Sequence, residues 1–516
     1  MLKKLVNLDL SKNQQQVLNM VAGIINMLVT TLIGFVLSPY ITRTLGIEAN
    51  GFISLANNFI AYMTLARTAL DSMGSRFLMM AYYNHEHDKF KKLYSSLFFA
   101  DLFLALIFGI LGGLCVWKLE ILLEIPTSMI TDVKWLFAIL FTNFALSTAF
   151  SVWSTCSYIK NKLYLDSVSN ASASIVRFLC IIGLFLCLSP KVFFVGIGSL
   201  LGGLILLIFQ SLFKKNLFGE LHARFKDFSF ASLKELLASG IWNTISSTGI
   251  LLLNNLDLLI ANLFVGPTPM GVLSVAKTMP SFVDTLNFTV ANAFTPSLII
   301  DYAQNNIDEL IKTIKKSAKI ISVICSLPLG FLIVYGKEFY ALWQPTQDAQ
   351  LLHILSVITI AGRVFFTGMQ PLFNVFTVVN RVKENALVTL LNGLVSIFLT
   401  FALLQTTSLG IYAIAGVSVI CCFLKNILYV IPYSAKYLGL KKTAFYSTLL
   451  PSVLCTAILC VWGSLEKLLF NGSSWISLIV AAVVFVVIGI ALTALAVLNK
   501  GERNYFLALM LNKIKK

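Results

Sequence analysis

The chain has 516 residues, of which 58% are hydrophobic and 12% charged, with 39 Lys and Arg against 23 Asp and Glu. Its mean hydropathy is +0.85, which excludes an ordinary soluble globular domain. The net charge of +16 would suit a nucleic-acid binder, but no soluble segment is long enough to form one, so that class is excluded too.

Fourteen apolar stretches predict membrane-crossing helices, each long enough for roughly 30 Å of hydrocarbon. They run approximately over 17–40, 50–74, 93–117, 133–157, 165–188, 192–213, 236–264, 270–297, 316–336, 350–378, 385–405, 409–432, 444–464 and 474–497. Basic residues crowd into alternate gaps: 28 fall on one side and six on the other, namely Arg43, Lys118, Lys134, Lys191, Lys337 and Lys467. That asymmetry predicts an all-α polytopic membrane protein with both termini in the cytoplasm. The basic excess is therefore a topology signal, with some affinity for anionic lipid heads.

In chain order, residues 1–16 carry a Leu stripe and lysines and read as a cytoplasmic interfacial segment, with no cleavable signal peptide. Spans one to six (17–213) form a first lobe. Residues 214–235 are the longest gap, a cytoplasmic linker. Spans seven to twelve (236–432) form a second lobe. Spans thirteen and fourteen (444–497) are an appended pair, and 498–516 are a basic cytoplasmic tail.

An internal repeat supports the division. Residues 41–56 align without gaps on 261–276, matching Gly46 with Gly266, Gly51 with Gly271, Ser54 with Ser274 and Ala56 with Ala276. Each copy is the turn between the first two spans of a lobe. An even number of spans separates the copies, which predicts lobes of like orientation related by an axis along the membrane normal.

Apart from Lys134, Lys316 and Lys319 at span ends, five basic residues lie inside spans: Arg67, Arg177, Lys277, Arg363 and Lys425. A charge at mid-bilayer costs at least about 2.5–3.5 kcal/mol, so each is a functional candidate. Most belong to polar stripes at helical spacing. Span two has Asn57, Thr64, Arg67 and Asp71; span five has Ser167, Asn170, Ser174 and Arg177. Span seven has Asn243, Ser247, Asn254 and Asp257; span eight has Lys277, Ser281, Asp284 and Asn287. Span ten has Arg363, Thr367, Gln370 and Asn374; span eleven has Asn385, Thr389, Asn392 and Ser396.

The bland reading of such stripes is helix–helix hydrogen bonding at about 0.6 kcal/mol each. It suits the Ser and Thr residues but not the charges. Arg67–Asp71 could be a purely structural pair, and Arg67 and Lys425 could snorkel to the interface. Asp101, two turns into span three, could reach the interface or pair with a neighbour. The economical reading of the whole is a water-filled cationic cavity between the lobes. It is lined by Arg67, Arg177, Lys277, Arg363 and Lys425, by the polar residues Asn57, Asn170, Asn254, Asn287, Gln370, Asn374 and Asn392, and by Asp71, Asp257 and Asp284 as charge partners or ion-coupling groups. Such a cavity suits a phosphate or pyrophosphate headgroup.

Pro280, between Lys277 and Asp284, predicts a bend in span eight. Gly109/Gly113 and Gly198/Gly202 predict close helix packing. The nine cysteines lie almost all in apolar runs and show neither zinc-site nor disulfide-framework spacing.

The span count, the parallel lobes with an appended pair, and Asp257 followed by the turn Val265-Gly266 … Met270-Gly271-Val272-Leu273-Ser274-Val275-Ala276-Lys277 resemble the multidrug/oligosaccharidyl-lipid/polysaccharide exporter superfamily. The best match is its polysaccharide flippase branch. The resemblance implies movement of undecaprenyl-diphosphate-linked oligosaccharide repeat units from the cytoplasmic to the outer leaflet by alternating access, for O-antigen, capsule or exopolysaccharide synthesis. It implies residence in the bacterial inner membrane, action as a monomer beside a polymerase and glycosyltransferases, and no cofactor beyond H⁺ or Na⁺ coupling.

Multidrug members often carry an acid in span one, and residues 17–40 hold none. The alternatives are a lipid II flippase or a cation-coupled multidrug antiporter. A membrane polysaccharide polymerase fits less well, because every outer gap is short and none contains paired carboxylates. The reading is a transporter rather than an enzyme.

Overall fold

The computed structural model describes residues 12–504 apart from 220, 293, 305 and 380. The expected interfacial residues 1–11 and most of the basic tail, 505–516, lie outside the described residues. The first described helix, Lys12–Leu45, contains span one.

Among the described residues the chain is helical and without strands. The helices used below are α1 (Lys12–Leu45), α2 (Ile47–Tyr83), α3 (His87–Trp117), α4 (Ile130–Ala149), α5 (Val152–Ile159), α6 (Leu163–Cys187), α7 (Phe193–Leu217), α8 (Phe230–Asn254), α9 (Asp257–Phe264), α10 (Pro267–Ala276), α11 (Thr278–Asn292), α12 (Thr295–Ala303), α13 (Ile307–Trp343), α14 (Ala349–Phe366), α15 (Gln370–Val378), α16 (Val382–Thr406), α17 (Ile411–Lys425), α18 (Ile431–Tyr437), α19 (Leu449–Glu466) and α20 (Trp475–Val497).

Twelve helical stretches among the described residues are long and apolar enough to cross a membrane. The two expected spans that miss this standard are the second and the eighth. Span two is one long helix, α2, whose polar residues include Asn50, Asn57, Asn58, Arg67 and Asp71. Span eight is broken into α10 and α11, neither long enough alone. Many large side chains are exposed on the helices, such as Phe103, Leu106 and Ile110 on α3 and Ile479, Val483 and Val487 on α20. In a membrane protein these are the faces that meet lipid tails.

The chain divides into two compact units, 1–251 with 258–271, and 252–257 with 272–516. In the first, Leu70, Leu78, Phe90, Tyr94, Val152 and Leu236 form one apolar core. The segment after α7 is pinned to α3: Ser96 Oγ accepts from Ser229 N at 2.9 Å and Ser95 Oγ from Arg224 N at 3.2 Å. Gly198 and Gly202 let α7 close on α6. A Cβ at 198 would stand 3.0 Å from the Arg177 carbonyl, and one at 202 would stand 2.7 Å from that of Ala173. Gly109 and Gly113 do not pack as expected: nothing lies within 4 Å of a Cβ at either, and the close neighbour on α3 is Gly112, against Phe141.

The two repeat copies have matching turns. Gly46 and Gly266 both adopt positive φ, +90° and +114°, where a side chain would be strained. Gly51 and Gly271 then meet, a Cβ on Gly51 standing 2.8 Å from the Gly271 Cα.

In the second unit α13 is the central helix. The appended pair α19 and α20 packs on it through Leu327, Tyr335, Leu459, Leu478 and Phe485. Hydroxyls add polar contacts, Ser322 with Ser452 at 2.9 Å and Ser326 with Thr456 at 3.4 Å.

Candidate functional site

The charges inside the spans sit where helices break. Span seven stops at Asn254 and restarts at Asp257; span eight stops at Ala276 and restarts at Thr278. Lys277 occupies the second break and joins the first. Its Nζ donates to the Asn254 carbonyl at 2.8 Å and also to Asp257 Oδ2. A cation is favoured at the C-terminal end of α8 and an anion at the N-terminal end of α9, so this arrangement follows the helix dipoles. Asp257 is 8% exposed.

Pro280 supplies the reason for the break in span eight. Lacking an N–H, it cannot bond the carbonyl four residues earlier, that of Ala276. Two buried hydroxyls take that carbonyl instead, Ser356 Oγ at 2.7 Å and Tyr340 Oη at 3.3 Å. The expected bend is thus a break, with its freed acceptor satisfied by α13 and α14.

One helical segment further, Arg363 in the last turn of α14 makes a two-pronged pair with Asp284 of α11. Nη2 donates to Oδ2 at 2.7 Å and Nε donates to Oδ1. Both side chains remain over a third exposed. Span ten also breaks after Arg363, passing through a 3₁₀ turn at Thr367–Met369 into α15. Lys425 ends α17, and a π turn over Asn426–Val430 follows, an irregularity that often marks functional positions.

In the first unit Arg67 Nη2 bonds Asp71 Oδ1 at 3.0 Å, and Nη1 reaches Thr148 Oγ1 at 3.4 Å. The pair lines a polar pocket of about 200 Å³ shared with Asp101, Ser151, Ser154 and Thr155. Arg177 of α6 is half-buried against α7, and its Nε has no partner.

The five cations therefore fall into two classes. Arg67, Lys277 and Arg363 are each held by an acid of the predicted set, Asp71, Asp257 and Asp284. For Arg177 and Lys425 no carboxylate lies within 4 Å among the described residues; Lys425 Nζ stands 5.8 Å from the Phe373 ring centroid.

The predicted polar residues divide as well. Asn57 and Asn170 donate within their own helices, to Ile53 O at 3.0 Å and Asp166 O at 2.8 Å. Asn374 donates to Thr295 Oγ1 at 2.9 Å, joining α15 to α12. Asn254 lends its carbonyl to Lys277. Asn287 Oδ1 and Asn392 Nδ2 are buried without partners. Gln370 opens α15 and is half-buried.

Two acids were underrated by sequence reasoning. Asp101 does not reach the interface. It is 2% exposed and accepts from Ser151 Oγ at 2.5 Å. Glu466, at the end of α19, is 1% exposed with both carboxylate oxygens unpartnered. Asp101 was recognisable as a charge within a span; Glu466 fell just outside the predicted end of one.

A family model described as polysaccharide biosynthesis protein matches residues 19–296. The chain belongs to the polysaccharide biosynthesis protein family. It is 27% identical over 468 residues to the uncharacterized membrane protein EpsK of Bacillus subtilis (strain 168), covering 90% of this chain and 92% of that protein. Among solved structures it is similar to the lipid II flippase MurJ in an inward closed conformation, with TM-score 0.67 and 14% identity over 94% of this chain and 100% of that one. It is also similar to an inward-facing multidrug resistance MATE family transporter of the MOP superfamily, with TM-score 0.64 and 14% identity over 81% and 98%. The family and the fold agree with the resemblance read from the sequence: a multi-pass membrane protein of transporter type.

Proposed function

We propose that this chain flips a lipid-diphosphate-linked oligosaccharide from the cytoplasmic to the outer leaflet by alternating access, in the bacterial inner membrane and with both termini cytoplasmic. The repeat unit would serve O-antigen, capsule or exopolysaccharide synthesis, handed on by glycosyltransferases and received by a polymerase. The family and the exporter fold support transport for polysaccharide synthesis.

The observation that carries the anionic lipid is the state of Arg177. A guanidinium inside a span, unclaimed by any carboxylate within 4 Å and with its Nε unpartnered, is costly in an empty protein. A diphosphate would relieve that cost through charge-assisted, two-pronged hydrogen bonds. Lys425, also without an acid, is the second contact we assign. Arg67, Lys277 and Arg363 become available only when their acids release them, so they would serve another stage of the cycle. The polar residues named above would meet the sugars.

The test is flipping of an undecaprenyl-diphosphate-linked oligosaccharide in proteoliposomes. Arg177→Ala should abolish it at normal protein level, and Arg177→Lys should retain part of it. Full flipping by the Arg177→Ala/Lys425→Ala double variant would overturn the reading.

A further inference from the structure

The first unit contains a buried carboxylate that neither the family nor the proposed substrate explains. We propose that a monovalent cation, a sodium ion or a proton, binds Asp101 at the break in the fourth span.

The break is the first observation. α4 ends at Ala149 and α5 begins at Val152, so Phe150 and Ser151 interrupt a helix that sequence reads as one span. Irregular backbone at membrane depth is tolerated where it is buried or lines a wet cavity, and interrupted helices are a recurrent setting for small cations. Here the interruption turns the Ser151 hydroxyl onto Asp101 Oδ2 at 2.5 Å.

The second observation is what Asp101 lacks. The residue is 2% exposed, and its other oxygen, Oδ1, has no hydrogen-bond partner. It lines the pocket of about 200 Å³ described above. A liquid water takes up about 30 Å³, so the pocket has room for an ion with part of its hydration shell.

Charge accounting gives the sign. The charged groups that line the pocket with Asp101 are Arg67 and Asp71 of α2. They pair at 3.0 Å and cancel, and Arg67 donates to Asp71 and to Thr148. α4 and α5 add the hydroxyls of Thr148, Ser151, Ser154 and Thr155 and the buried thiol of Cys156. The Phe225–Asp227 turn meets α3 at Phe99, and its Lys226 is exposed. The site therefore holds one negative charge in excess, with one hydroxyl to stabilise it. An unpaired buried carboxylate is unfavourable; a proton on Oδ1, or a sodium ion shared with the hydroxyl oxygens, removes the imbalance. The acids of the second unit, Asp257 and Asp284, already hold Lys277 and Arg363, which leaves Asp101 the better placed of the three for a mobile cation.

The experiment reads binding, not transport, so its failure is separable from a failure of the flipping test. The purified full chain is titrated with sodium at constant ionic strength, with potassium as the balancing ion, and ²²Na⁺ binding and thermal stability are followed. In parallel, infrared spectra record the C=O stretch of a protonated carboxyl as pH is varied. If sodium is the ligand, wild type binds it, Ser151→Ala binds roughly tenfold more weakly through loss of one hydrogen bond to the charged group, and Asp101→Asn does not bind. If the proton is the ligand, sodium has no effect, and wild type shows a titrating carboxyl band that Asp101→Asn lacks and Ser151→Ala shifts in pH. Absence of both signals, or their persistence in Asp101→Asn, overturns the proposal. Asp101→Asn is near in shape to the native residue, and Ser151→Ala provides a second variant that keeps the carboxyl.

Discussion

Glu48 and Thr268 stand 220 residues apart and share a hydrogen bond, Thr268 Oγ1 donating to Glu48 Oε1 at 2.5 Å. The same separation relates Gly51 and Gly271, which pack backbone to backbone. Equivalent positions of a sequence repeat thus touch each other within the first compact unit. The contact needs glycine on both sides, because a Cβ on Gly271 would stand 2.5 Å from the Ile47 carbonyl oxygen.

Gly271→Leu should destabilise the protein by about 1–3 kcal/mol, since the overlap is with backbone and not with a flexible side-chain end. Thermal unfolding in detergent measures it. Gly109→Leu is the control, because nothing lies within 4 Å of a Cβ there, and it should leave the melting temperature nearly unchanged.

The Lys277–Asp257 pair should behave as a unit. Lys277→Met leaves Asp257, 8% exposed, without its cation and should cost about 3–5 kcal/mol. Adding Asp257→Asn should recover most of the loss. A double-mutant cycle with no coupling between the two would show that the break in span seven is held by other contacts.

The Ala276 carbonyl offers a sharper test of why span eight breaks. Ser356→Ala and Tyr340→Phe each remove one donor and should each cost about 0.5–1.5 kcal/mol; together they strand a buried acceptor, at about 1–3 kcal/mol for that group. Pro280→Ala in the double background returns an N–H four residues along the helix and should restore stability. If the double variant is as stable as wild type, the hydroxyls are not what holds the break.

The charge asymmetry predicts sidedness. In a cysteine-free background, a cysteine at Ser473, which is exposed in the turn between α19 and α20, should react with an impermeant thiol reagent added outside intact cells. One at Asn216, exposed at the end of α7, should react only after the membrane is opened. Labelling of the Asn216 site in intact cells would reverse the orientation.

Sequence alone determined the class, the approximate spans, the polar stripes and the placement of the costly charges. These are local properties: a run of apolar residues or a step of three and four along a helix is visible without knowing any neighbour. It also pointed to the two turns that meet, since a repeat is detectable as identity at one offset.

Partners were decided only by tertiary structure. Asp71, Asp101, Asp257 and Asp284 could serve five cations in many combinations, and only the packing of α11 on α14 joins Asp284 to Arg363. Among the helix breaks, the one in span eight was signalled by Pro280. The residues at Asn255 and Ser151 carry no strong breaking signal, and distant groups, Lys277 for Asn254 and Ser356 for Ala276, satisfy carbonyls that the breaks release. Asp101 shows the same limit. Its place in a span was readable from the chain, but a hydroxyl fifty residues away determines that one of its oxygens is satisfied while the other is left without a partner.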